Sequence, residues 1–404
     1  MAARPTKGAS MLKRADVPTY RPDLYSEAAI RDTYPHYTRL RELGPVVWLA
    51  KQRAYALPRY AECKKVLRDD EAFVSGEGVG LNPITNRLSR GTTLNSDGDE
   101  HSRRRALLSH RLTPRALRSM HETIDEQAAA VVAEAVARGS IDGVDLATAL
   151  PMSVVPDLIG WPDHGREHLL RWAGATFNAL GPLNARSVHA APAGLEMMHF
   201  ARRISRDRDI KPGGAGLDVL RAADEGRLTH AECPAMMVDY LAPSLDTTIG
   251  AISAALYLFA TNPDQWNLLK ADPSLIPNAV NEAVRLESPV RAFSRKVTRD
   301  TEIAGVSLPS GSRVVVIYGS ANRDPLEWDA PDTFDIRRDA SRQLGFGHGT
   351  HGCAGQGLAR LETQAILRAL VDRVDRIEIA GPTEWAMNNI IHRFSRLPLQ
   401  LIPA

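Results

Sequence analysis

Residues 344–357 read LGFGHGTHGCAGQG, a run of glycines around the single cysteine Cys353. Within it, residues 347–352 (GHGTHG) satisfy G-x-G-x-x-G, the fingerprint of dinucleotide-binding folds. That fingerprint requires a buried strand before it, a βαβ unit around it and an acidic residue about 20 positions on. The preceding DASRQ (residues 339–343) is no buried strand, so the nucleotide reading is set aside. His348, His351 and Cys353 are close enough in sequence to suggest a metal, but structural zinc takes four ligands, typically with paired cysteines. The other two cysteines, Cys63 and Cys233, lie far away and have no Cys or His beside them at ligand spacing. What remains is a thiol at the mouth of a helix. Residues 357–374 (GLARLETQAILRALVDRV) show helical periodicity, and the helix dipole with its free amide N–H groups stabilises a thiolate placed just before it. A thiolate so held suits the axial position of haem iron, where its electron donation favours O–O cleavage.

The rest of the chain agrees with an ordinary globular protein. Its 404 residues carry a net charge of +2, with 44% hydrophobic and 24% charged residues. Near-balance removes any global attraction to nucleic acid or anionic membrane. Three cysteines make no disulfide framework and point to a reducing compartment. The longest apolar stretch, residues 249–260 (IGAISAALYLFA), is shorter than the ~20 residues a bilayer core requires, and the N-terminus lacks the apolar segment of a secretory signal. The expectation is a soluble cytoplasmic protein.

Residues 1–22 read as a loosely held arm and residues 23–404 as one domain. Residues 46–57 look like a β-hairpin, and residues 73–97, rich in Gly, Ser, Asn and Thr, like a long irregular connection. Helices are predicted over residues 124–137, 236–260, 278–285 and 357–374. Short strands are predicted within 306–318 and over 398–402. Strands do not alternate with helices, so the fold class is mainly α with a smaller β part.

Residues 346–355, FGHGTHGCAG, match F-G-x-G-x-[HR]-x-C-x-G at every fixed position, and by this the chain resembles the cytochrome P-450 family, in its soluble bacterial class. The resemblance implies a triangular helical prism enclosing haem b, with Phe346 and Gly355 against the cofactor and Cys353 as iron ligand. Further motifs extend it. Glu282 and Arg285 resemble the family's structural Glu-x-x-Arg, with Arg338 as third member. His101 and Arg105 resemble its H-x-x-x-R, and with Arg295 and His351 they would meet the haem propionates. Arg103 and Arg104 read as a solvated basic face suited to docking an acidic electron donor. Residues 242–248, APSLDTT, resemble the oxygen-binding A-G-x-[DE]-T-T, with Pro243 and Ser244 in place of Ala and Gly and with Asp246 and Thr247 as the proton-delivering acid and alcohol. For Thr247 the alternative is a hydroxyl bonded back to its own helix.

Residues 78–81 (GVGL), 177–182 (FNALGP), 281–290 (NEAVRLESPV) and 319–325 (GSANRDP) are most similar to the branch that oxidises para-substituted benzoic acids. The carboxylate-binding residues of that branch are missing, since Glu77 and Asp239 occupy the aligned positions. An acid facing an acid is costly when desolvated, so a neutral or cationic aromatic is expected in place of a benzoate anion. Phe177, Leu180, Ala242, Val290 and Phe293 complete the expected pocket, with Glu77 at its edge. The implied activity is O2-dependent insertion of oxygen into a C–H bond, hydroxylation or O-demethylation, with electrons from NAD(P)H through a ferredoxin and its reductase. A peroxide-dependent enzyme, a hydroxylase of a larger natural product and a haem-binding sensor are the alternative readings.

Overall fold

The computed structural model describes residues 14–404. The long helix Cys233–Thr261 runs through the middle of the molecule. Pro234 sits in its first turn, where a missing N–H costs nothing, and Asn262-Pro263 ends it because the residue before a proline is driven out of the helical region. By length and hydropathy this helix is able to cross a membrane, yet 78% of its most apolar window is buried inside the protein. Its apolar faces therefore serve the core. One face packs with His121–Arg138, Gly143–Ile159, Ile276–Leu286 and Gln356–Val371 in the largest hydrophobic cluster. Another packs with Leu169–Leu180, Ala185–Asp207 and Ala215–Asp224.

The β part is small. A six-stranded mixed sheet has the order Thr19–Tyr20, Val47–Leu49, Ala54–Leu57, Arg313–Ile317, Ala292–Val297, Phe73–Val74. The expected hairpin is present, with Val47 opposite Ala56. Strand Ala292–Val297 pairs antiparallel with Arg313–Ile317, Phe293 opposite Val316. The C-terminal strand Pro398–Pro403 lies between Val374–Ile379 and Ser140–Asp142. The architecture is mainly α with a smaller β part, as the sequence predicts.

Three expectations need correction. Residues 1–13 lie outside the described residues, but from residue 14 the arm is docked: Val17 and Tyr20 are buried, and Thr19–Tyr20 adds a parallel strand to the sheet. The irregular connection 73–97 contains a helix, Pro83–Leu88. It is also pinned: Asp97 accepts the N–H groups of Ser75 (2.8 Å) and Gly76 (2.6 Å), and Asn95 that of Val79 (3.0 Å). The helix after the thiol stops at Val371, and Val374–Ile379 continues as a strand paired antiparallel with Pro398–Pro403, with a register shift between Val374 and Arg376.

That helix carries a buried acid. Glu362 is fully buried and both its carboxylate oxygens lack any partner among the described residues. Desolvation alone raises its pKa to about 8, so the native side chain is a neutral acid at pH 7. The unfolded chain loses this proton near pH 4.3 while the folded chain keeps it to about 8. Stability therefore falls as pH rises across that window, by at most about 1.4 kcal/mol per unit. Glu362→Gln is expected to gain on the wild type between pH 5 and 8, read as a melting-temperature difference that grows with pH. A pH-independent difference would rule the neutral acid out.

Candidate active site

The loop around Cys353 closes on itself. The Cys353 N–H donates to Phe346 O (2.8 Å), Gly347 N–H to Leu344 O (2.8 Å) and Gly352 N–H to Gly349 O (2.9 Å). Gly347 and Gly349 hold φ of +70° and +69°. A Cβ on Gly349 would also come within 2.2 Å of Leu67 O, so only glycine fits there. The turn delivers Cys353 immediately before helix Gln356–Val371, whose N-cap is Gly355. The residue is exposed, yet desolvation is the main influence on the proton affinity of its sulfur. Desolvation raises its pKa. The N–H groups of Gly355 and Gln356 and the guanidinium groups of Arg105 and Arg360 oppose that by stabilising the thiolate. Arg360, which stacks over Phe346 at 4.3 Å, was not singled out from the sequence.

His101 and His351 stack with ring centroids 4.2 Å apart. His101 is buried with neither ring nitrogen partnered, and desolvation, with His351 and Arg105 adding to it, lowers its pKa to about 4. His351 Nε2 stands 3.7 Å from Asp97 Oδ1, beyond hydrogen-bond reach. Arg295 is buried, donates to the Ser294 carbonyl at 2.9 Å and interacts with the Tyr318 hydroxyl. Buried donors without acceptors are costly. A buried imidazole, His101, with both ring nitrogens unpartnered, and a cysteine whose thiolate is favoured by Arg105 and by amide N–H groups, fit a carboxylate-bearing haem with a thiolate ligand.

On the other side lies the long helix. It is buried nearly all round, but Ala235, Asp239, Pro243 and Thr247, spaced by four, remain partly open, with Ser244 beside them. Such spacing is one face of a helix. Thr247 donates its hydroxyl to Pro243 O (2.6 Å) and Ser244 to Tyr240 O (2.6 Å). The back-bond considered for Thr247 is therefore present, and it leaves the oxygen lone pairs free to accept. Asp246 is buried and ion-paired to Arg393, Nε to Oδ1 at 3.0 Å. Desolvation raises its pKa against that pairing. Nothing in the local sequence marks Arg393 as the partner of an acid 147 positions away.

Phe177, Leu180, Val290 and Phe293 come together in one apolar cluster with Val79, Leu94, Ile390 and Ile391, and a bridge between Val290 and Ile391 fixes the wall. Two expected pocket residues are elsewhere. Glu77 points outward to an exposed ion pair with Arg90 at 2.7 Å. Ala242 is buried, in the cluster that also holds Trp172 and Leu245. One step along a helix turns the side chain by about 100°, and Pro243 takes the open position instead. Asp239 remains on the open face.

The Glu282 triad is complete. Glu282 and Arg285 are both fully buried and paired through two bonds, Nε–Oε2 at 2.7 Å and Nη2–Oε1 at 2.8 Å. Arg338 Nε reaches Oε1 at 3.2 Å. The basic face around Arg103 and Arg104 is not formed. Glu232 Oε1 holds both arginines at 2.9 Å, Arg104 is buried, and Arg103 also donates to Arg227 O. Their positive charge is spent inside the fold.

Residues 271–376 match the family model described as Cytochrome P450. The chain is 42% identical to Cytochrome p450 CYP199A2 of Rhodopseudomonas palustris over 96% of each protein. It is 31% identical to 6-deoxyerythronolide B hydroxylase of Saccharopolyspora erythraea, over 94% of this chain and 98% of that one. Among solved structures it resembles P450BioI, in a complex with an acyl carrier protein bearing hexadec-9Z-enoic acid, with a TM-score of 0.85 and 25% identity over 93% of this chain and 99% of that one.

Proposed function

The chain belongs to the cytochrome P450 family and is a monooxygenase, and from that premise we propose that it oxidises a C–H bond of a small aromatic substrate, by hydroxylation or O-demethylation, with electrons relayed from NAD(P)H by a ferredoxin and its reductase. The observation that supports an aromatic substrate is the cluster of Phe177 and Phe293 with Val290 and Ile391, an apolar wall with two rings for a flat ligand. Haem, once bound, supplies the iron at which dioxygen is activated and the C–H bond oxidised.

The chain's own contributions follow from the geometry. Cys353 would be the thiolate ligand, and Gly355 and Gln356 hold its charge with their N–H groups. His101, Arg105, Arg295 and His351 would hold the propionates, and Phe346 would pack against the macrocycle. Asp246 holds its Oδ1 on Arg393, while its Oδ2 lies near Gly174 of helix Leu169–Leu180. Oδ2 is the atom that carries a proton inward. Thr247, with its hydrogen committed to Pro243 O, offers lone pairs on the open face and so accepts from a protonated group there. The apolar wall excludes water from this step.

Removing the acid tests the proton route. Asp246→Asn is expected to lower product formation by roughly 10²-fold, the usual range for a general acid. Thr247→Ala is expected to let NAD(P)H consumption continue while product per NAD(P)H falls. Equal product yields from wild type and Thr247→Ala would remove Thr247 from the route. Turnover of 4-methoxyarenes with ferredoxin, reductase and NAD(P)H, compared with peroxide alone and read as phenol and formaldehyde, tests the reaction class. A rate with peroxide that matches or exceeds the coupled system would favour the peroxide-dependent reading.

A further inference from the structure

Asp239 is an acid without a counter-charge on the open face of the long helix. Its Oδ2 accepts the Thr93 N–H at 2.6 Å, and no arginine or lysine among the described residues forms an ion pair with it. The nearest cation to influence it, Arg104, is already committed to Glu232 and Glu100. Three acids described above have a cation beside them: Glu282 has Arg285, Glu232 has Arg104 and Asp246 has Arg393. An isolated carboxylate withdrawn from water is expensive.

Its position is equally particular. Asp239 stands two turns before Thr247 on the same face, about 12 Å along the axis at 1.5 Å per residue. The loop it holds continues from Thr93 to Leu94, which packs on the Phe177 cluster. At the far end of the same wall, Gly174 lies against Asp246 and Phe177 follows one turn later. The apolar wall thus has a proton-handling end at Asp246 and Thr247, and a bare carboxylate at the other.

We propose that Asp239 is the specificity-determining anchor of the substrate pocket, binding a cationic or N–H-donating head group para to the substituent that is oxidised. This deepens the aromatic-substrate reading and rests on it. The carboxylate is held in place by Thr93, so it is ordered before the ligand arrives, and a planar amidinium can donate to it while the ring lies along the Phe177 wall. Desolvation raises the pKa of Asp239 to about 6, so the group is mostly ionised at pH 7.

The test uses holoenzyme and three ligands of one shape, 4-methoxybenzamidinium, 4-methoxybenzamide and 4-methoxybenzoate, titrated by the substrate-induced spin shift. The wild type is expected to bind the amidinium at least tenfold more tightly than the benzoate, with the amide between them. Asp239→Asn and Asp239→Ser are expected to lose at least tenfold in amidinium affinity and to gain benzoate affinity, with amide affinity moving by less than threefold. Tightest binding of benzoate by the wild type overturns the proposal without needing any variant. An equal loss for all three ligands in the variants also overturns it, since that is the mark of a residue that only holds the loop. The CO spectrum of the same samples separates the two levels: a thiolate-type Soret band with the wrong ligand order defeats the anchor alone, and absence of that band defeats the haem-thiolate reading beneath it.

Discussion

Cys353→Ser is expected to abolish the red-shifted Soret band of the reduced, CO-bound protein and to lower monooxygenase turnover by on the order of 10³-fold or more, about 4 kcal/mol of barrier. The replacement is nearly isosteric, and the loop that presents the side chain is held by backbone bonds that do not involve sulfur. The protein should therefore fold and retain the arrangement of His101, Arg105, Arg295 and His351, the residues proposed to hold the cofactor's carboxylates. What changes is charge. The N–H groups of Gly355 and Gln356, with Arg105 and Arg360, favour the thiolate against its desolvation. They are not enough to deprotonate an alcohol, whose proton is far more tightly bound than that of a thiol near pH 8.5. The electron donation that favours O–O cleavage is lost with the anion. An unchanged Soret band in Cys353→Ser would mean that another residue ligates iron.

The second large effect is structural. Arg285→Ala is expected to destabilise the holoenzyme by about 3–5 kcal/mol, the cost of leaving a buried charge without its partner. Glu282 would keep Arg338 and the Asp335 N–H, both at 3.2 Å. Three carbonyls that Arg285 now serves, those of Asn322, Pro331 and Thr333, would be left short of a donor. Against a total stability of about 5–15 kcal/mol this is a large share, and a fall in melting temperature of roughly 5–15 °C is anticipated. The damage should reach the thiol, because Asn322 also accepts the Leu344 N–H at the start of the cysteine loop (2.7 Å) and Gly345 abuts Val284. Weakened haem retention should accompany the lower melting point. Arg285→Lys should not rescue either property, since an ammonium cannot span two carboxylate oxygens and three carbonyls. A melting point within about 2 °C of wild type would show that the pair is dispensable.

Much of the site is legible in the sequence where its members are close together. The loop 346–355 needs glycines, a thiol and a helix start within ten positions, so the pattern itself encodes the local geometry. Glu282 and Arg285 share a helix face at a spacing of three, and His101 and Arg105 at a spacing of four, for the same reason. Local order also sets the fold class, since helical periodicity and a small number of short strands are properties of neighbouring residues.

The errors fall where long-range packing decides. The exposure of Glu77 depends on how the 73–97 connection is pinned by Asp97, and on Arg90 lying beside it. Arg103 and Arg104 look like a basic face until Glu232, more than 120 positions on, is folded against them. Ala242 and Pro243 differ by one step of rotation, and only the packing of the long helix against its neighbours selects which one is open. Arg393 is an ordinary arginine in sequence and the partner of Asp246 in space. The sequence by itself thus determines that there is a thiolate-bearing loop, a mainly helical fold and an acid–alcohol pair, because each is written in residues within a turn or two of one another. Only the tertiary structure decides which charges are neutralised and which, like that of Asp239, are left without an ion-pair partner among the described residues, because a counter-charge is supplied by whatever distant segment the chain folds against it.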